Sequence, residues 1–131
     1  MTSFVVDANV AFEFVNAPGA IERLKKHQAL APPLMWPEVR SALHVARWRG
    51  LLEEEDARSA RSLLESGAFR ERRHRHLGER TWSIADELGW AKTYDAEYLA
   101  LADLLGVAVA SFDQRVVRAA ERIGVSVHTF A

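Results

Sequence analysis

Residues 94–113 read Tyr94-Asp95-Ala96-Glu97-Tyr98-Leu99-Ala100-Leu101-Ala102-Asp103-Leu104-Leu105-Gly106-Val107-Ala108-Val109-Ala110-Ser111-Phe112-Asp113. Behind Thr93, a capping residue, the apolar positions Tyr98, Leu99, Ala102 and Leu105 follow the helical period, and Gly106 marks the stop. Val107-Ala108-Val109-Ala110 then forms a strand with no polar side. A strand apolar on both faces belongs in a parallel sheet covered by helices above and below. The pattern repeats downstream, with a helix over 116–123, a stop at Gly124 and a last strand over 125–129.

The first half reads the same way. Phe4-Val5-Val6 is a short apolar strand ending at Asp7, and Ile21 and Leu24 give a helix over 20–27. Ala29-Leu30-Ala31 is a second strand closed by Pro32-Pro33. A helix starts at Pro37, taken as its first residue, and runs through Val39, Leu43, Val45 and Ala46 to Gly50. Another opens on Glu53-Glu54-Glu55-Asp56, whose carboxylates suit the positive end of a helix dipole, and stops at Gly67. Glu54 and Arg58 are spaced as a surface ion pair on that helix. A weak strand is expected near 74–77, followed by a helix over 80–88. Strands alternating with helices predict an α/β fold, a three-layer α/β/α sandwich on a mostly parallel central sheet, with residues 1–131 forming one domain.

Composition narrows the chemistry. At 131 residues and 49% hydrophobic content, the chain can fill one core without a staple. It has no cysteine, which excludes a disulfide framework, a thiol nucleophile and Cys-ligated metals. Seventeen basic against 18 acidic residues leave a formal charge of -1, so any attraction to a polyanion must be local. No basic leader precedes the short apolar run at Phe4, and a cytoplasmic protein with no membrane span is the expectation.

Four acids stand out by position: Asp7 after the first strand, Glu38 after Pro37, Asp95 in a first helical turn, and Asp113 three residues past Ala110. Taken singly, each is an ordinary turn or dipole-compensating residue. In a parallel sheet, however, strand carboxyl ends and helix N-termini lie on one edge, where these four would converge. Convergent carboxylates raise one another's pKa or recruit a cation. An all-oxygen set favours Mg²⁺ or Mn²⁺ over Zn²⁺, and such sites commonly act on phosphate esters.

Four segments, in order, resemble the PIN-domain ribonucleases, and most closely the small VapC toxins of toxin–antitoxin pairs. They are Phe4-Val5-Val6-Asp7-Ala8-Asn9, Pro37-Glu38-Val39, Tyr94-Asp95-Ala96-Glu97-Tyr98-Leu99-Ala100-Leu101-Ala102, and Ser111-Phe112-Asp113-Gln114-Arg115. The third is the most specific. The resemblance implies a PIN-like fold and a metal-dependent endoribonuclease in which Asp7, Glu38, Asp95 and Asp113 bind one or two Mg²⁺ or Mn²⁺ ions. Hydroxide would attack the phosphate in line and leave a 5′-phosphate and a 3′-hydroxyl. Ala8 stands where the family often has Thr or Ser, and Ser111 where Thr is common; neither change removes an acid. Asn9, Ser111 and Arg115 are candidate supporting or phosphate-contacting residues. The resemblance also implies a homodimer held inactive by a small VapB-like antitoxin, whose C-terminal segment covers the groove and often brings an Arg to the acids. With four acids assigned to the cluster, 14 remain against 17 bases, a formal +3 for the rest of the chain.

The other features have competing readings. Arg70, Arg72, Arg73, His74, Arg75 and His76 form a basic run that is either an exposed loop or a contact for RNA or an acidic partner. His74 and His76 read as edge residues rather than metal ligands. Trp36, Trp48, Trp82 and Trp90 have no platform spacing and read as core or dimer-interface residues. Phe12 and Phe14 either fill the core or line a groove for a partner helix. Two other functions stay open: a catalytically silent PIN scaffold that binds RNA or protein, and another acid-cluster phosphohydrolase. A receiver-type phosphotransfer protein needs paired acids after the first strand and a Lys after the last, and a haloacid-dehalogenase-type phosphatase needs Asp where Asn9 stands.

Overall fold

A computed structural model describes residues 2–17 and 19–130. The chain runs β1 (Ser3–Val6), α1 (Ala8–Asn16), α2 (Ala20–Leu24), β2 (Gln28–Ala31), α3 (Met35–Trp48), α4 (Glu54–Leu64), β3 (Phe69–Glu71), α5 (Leu77–Leu88), α6 (Tyr94–Leu105), β4 (Ala108–Ala110) and α7 (Gln114–Ile123). The strands pair in parallel in the order β3-β2-β1-β4. Phe4, Val5 and Val6 are each 0% exposed. Because successive strand residues face opposite sides, β1 is covered on both faces, as its apolar sequence requires. Helices α1, α3 and α4 pack on one another, while α5 packs along α6, which lies against β1 and β4. The architecture is the expected three-layer α/β/α sandwich. Among the described residues, no helix is long and apolar enough to cross a membrane.

The order of the strands locates a site. From β1 the chain steps outward through β2 to β3, then returns to β4 on the other side of β1. This reversal opens a crevice beyond the carboxyl ends of β1 and β4, where open α/β sheets bind ligands. The pairing there is tight: Val6 is in register with Ala110, and the Asp7 amide donates to Ala110 O at 2.9 Å.

Several boundaries differ from the sequence reading. The third strand is Phe69–Glu71, not 74–77, because Phe69 is the residue of that region that buries its side chain against the sheet. Residues 72–76 form a connection and α5 starts earlier than expected, at Leu77. The last strand over 125–129 shrinks to a single bridge, Val109 to Val127. Pro37 is the third residue of α3, not the first; the whole first turn tolerates proline, since its amides have no intrahelical acceptor. The helix expected over 20–27 ends at Leu24. Thr93 occupies the N-cap of α6 without a side-chain capping bond. Helix α1 was not anticipated, although Asp7 before an apolar run is an N-cap signal, and its carboxylate does accept from the Ala8 amide.

Candidate active site

Asp7 leaves β1 with an extended backbone and caps α1, so its carboxylate sits at the crevice. Oδ1 accepts from the Ala8 amide at 2.7 Å, and Oδ2 accepts from Ser111 Oγ at 2.8 Å and Asn9 Nδ2 at 3.4 Å. Ser111 directly follows β4, and its Oγ accepts from the Asp113 amide at 3.0 Å. Asn9 Oδ1 accepts from the Phe112 amide at 3.1 Å. Asp7, Asn9, Ser111 and Asp113 are therefore one hydrogen-bonded unit that ties the end of β1 to the end of β4.

Asp7 is 4% exposed, and burial pushes its carboxyl up to about 6. The bonds from Ser111 and Ala8 oppose that shift, while the charges of Asp95 and Glu38 reinforce it. Glu38 reaches the same edge from the first turn of α3. Its Oε1 accepts from Tyr98 Oη at 2.5 Å, across from α3 to α6. Tyr98 is fully buried, and burial followed by the neighbouring Glu38 holds its phenol well above the ordinary range. Glu97 is also raised, by burial first and by Glu38 second.

The remaining two acids meet through a cation. Asp95 lies in the first turn of α6, and Asp113 is the N-cap of α7, accepting from the Arg115 amide at 2.9 Å. The Arg115 guanidinium donates from Nη2 to Asp95 Oδ2 and stands 4.0 Å from Asp113 Oδ2. It lies over the Trp90 ring, 4.6 Å from the centroid. Beside the acids, Ala8, Asn9, Phe12, Glu38, Ala42 and Phe112 line a cavity of about 420 Å³. All seven sequence-selected residues thus face one end of the sheet.

The donor set is entirely oxygen, which suits a hard divalent ion in kind, and the cluster already draws a positive group onto Asp95. No group of three or more His, Cys, Asp and Glu side chains among the described residues is placed to hold a metal ion, and Asp95 is paired with Arg115. Three neighbours went unrecognised in the sequence as parts of this site: Tyr98, Trp90 and Glu97. Tyr98 reads as one more apolar helix position, and nothing in sequence spacing brings Trp90 to Arg115. Glu97 sits two residues from Asp95, and its acidity was the available signal.

The other candidates separate. Phe14 is buried in the core and Phe12 lines the cavity. Trp36 is partly buried and donates to Leu64 O at 3.2 Å, whereas Trp48 and Trp82 are 81% and 68% exposed, which removes the core alternative for these two and leaves the interface one open. Glu54 and Arg58 pair at 3.1 Å as expected.

No protein-family model matches the chain, and no curated protein matches it. Solved structures do. The fold is similar to PAE2754 from Pyrobaculum aerophilum, with a TM-score of 0.72 and 21% identity over 90% of this chain and 79% of that one. It is also similar to FitAcB from Neisseria gonorrhoeae, with a TM-score of 0.59 and 16% identity over 96% of each chain. At these identities the likeness defines the fold, which is PIN-like.

Proposed function

We propose that the protein is a Mg²⁺- or Mn²⁺-dependent endoribonuclease of the VapC toxin type. The observation that carries this reading is the meeting of Asp7, Glu38, Asp95 and Asp113 at the β1–β4 crevice of a PIN-like fold, with Asp7 buried and its carboxyl raised to about 6. Buried, mutually repelling carboxylates at a switch point are matched by a divalent cation. These four would hold one or two ions. A divalent ion there supplies positive charge to a scissile phosphate and acidifies water. Ser111 and Asn9 orient Asp7, and Tyr98 fixes Glu38. The open cavity bordered by Phe12 and Phe112 is large enough to admit a nucleotide or a partner's side chains.

A VapB-like antitoxin as inhibitor and a homodimer belong to the same proposal. Exposed Trp48, Leu51 and Trp82 offer apolar surface for such contacts. Asp7→Asn and Asp95→Asn are each expected to abolish Mg²⁺-dependent cleavage of total RNA and to relieve growth arrest on induction. Retained toxicity in both variants refutes the reading. A silent binding module is the second reading, favoured by the Arg115–Asp95 pair, which already neutralises one acid. RNA binding in chelator, with no cleavage of any RNA on adding Mg²⁺, selects it.

A further inference from the structure

We infer that Arg115 is a resident counter-cation of the acid cluster, and that a divalent ion binds by exchange with its guanidinium. The inference rests on the proposed metal dependence and adds what sets the metal affinity. Three observations carry it. Arg115 Nη2 is bonded to Asp95 Oδ2 and stands 4.0 Å from Asp113 Oδ2, so one positive group spans two of the four acids. Its backbone amide is bonded to Asp113 Oδ1 at 2.9 Å, so the start of α7 holds the residue at this spot. Its guanidinium also covers the Trp90 ring at 4.6 Å, a second attraction that keeps the side chain over the cluster.

A divalent ion and this guanidinium compete for the same charge on Asp95. Arg115 spans only part of the set, since Glu38 is engaged by Tyr98 and Asp7 by Ser111, Asn9 and Ala8. It therefore lowers repulsion in the metal-free protein without matching a divalent ion in full. Asp95 and Asp113 would hold the ion in place of the guanidinium, and Arg115 would then lose the pairing with Asp95 that keeps it over the Trp90 ring.

The test is calorimetric titration of the full chain with Mg²⁺ alone, followed in parallel by tryptophan fluorescence. Arg115→Ala is expected to bind Mg²⁺ about fivefold more tightly, the scale of one partly exposed ion pair. Arg115→Gln, which keeps chain length and helix propensity, is expected to show the same gain. Mg²⁺ should change the fluorescence of the natural protein, and that change should vanish in Trp90→Phe and in Arg115→Ala. Equal or weaker Mg²⁺ binding in both Arg115 variants overturns the exchange while leaving a metal-dependent enzyme intact. An equal gain in Arg118→Ala, an exposed residue one turn along α7, makes the effect one of overall charge and also overturns it. Absence of Mg²⁺ binding in every protein overturns both the exchange and the function it rests on.

Discussion

Asp7 is an acid placed where the protein interior disfavours its charge. Three donors surround it, yet burial outweighs them and its carboxyl is pushed from an ordinary 3.8 to about 6. A native pKa above the unfolded one means that the neutral acid is the stabilising form. That stability is fully present below about pH 3.8 and is lost as pH rises through about 6. Asp7→Asn keeps the size and removes the charge, but turns one of the two acceptor oxygens that Ala8, Ser111 and Asn9 donate to into an NH2 donor. In chelator at pH 7.5 the variant is expected to be more stable than the natural protein by about 2 kcal/mol, somewhat under the ~3 kcal/mol of a two-unit shift. Urea unfolding from pH 4 to 7.5 measures this, and the two profiles should converge toward pH 4. Parallel profiles across that range exclude a raised Asp7. Stability gained and activity lost in one substitution is the pattern of a site that stores unfavourable charge for a ligand.

Elements were legible where one signal decided them. The strand at Val109 follows from four apolar residues behind a glycine stop, and α6 follows from its period; both are found within one residue of expectation. The edge strand was misplaced because Phe69 has one buried side chain and no alternating pattern, so backbone pairing with β2 decides it. The four acids could be assigned to one edge because strand ends and helix starts share that edge in any parallel sheet. Their partners could not, since Tyr98 meets Glu38 only once the fold brings α3 and α6 to the same sheet edge, 60 positions apart in sequence. That bond links the two acid-bearing helices. Tyr98→Phe leaves Glu38 without its donor inside a repelling cluster, and is expected to cost about 1–2 kcal/mol in urea unfolding. The same variant should weaken Mg²⁺ binding several-fold by calorimetry; unchanged affinity and stability would show that the bond positions nothing.

Across the whole molecule, residues 126–128 close the sheet beside β4. Val109 N donates to Ser126 O at 2.9 Å, and His128 N donates to Val109 O at 2.8 Å. The segment is held by an aromatic cluster in which His128 stacks on Phe4 at 4.1 Å and Phe130 packs edge-on against Phe4, Phe14 and His128. His27 lies 5.7 Å from His128, and Arg23 stands over the Phe14 ring at 5.6 Å. Burial, then His27, lowers the pKa of His128. Its folded pKa lies below the unfolded 6.5, so the stability it confers as a neutral ring is present at neutral pH and is lost as pH falls below about 6.5. This sign is opposite to that of Asp7, and the two act at different places: Asp7 in the crevice, His128 beside the edge strand. Acidification should therefore weaken the hold on residues 125–130 while relieving the burial cost at Asp7. His128→Phe keeps the stack on Phe4 and cannot be protonated. Between pH 7.5 and 5, thermal unfolding in chelator should shift in favour of the variant, and the protection of the His128 and Val109 amides against hydrogen exchange, relative to the intrinsic rate at each pH, should fall more in the natural protein. Equal protection in both proteins at pH 5 would mean that protonation of this ring does not open the edge.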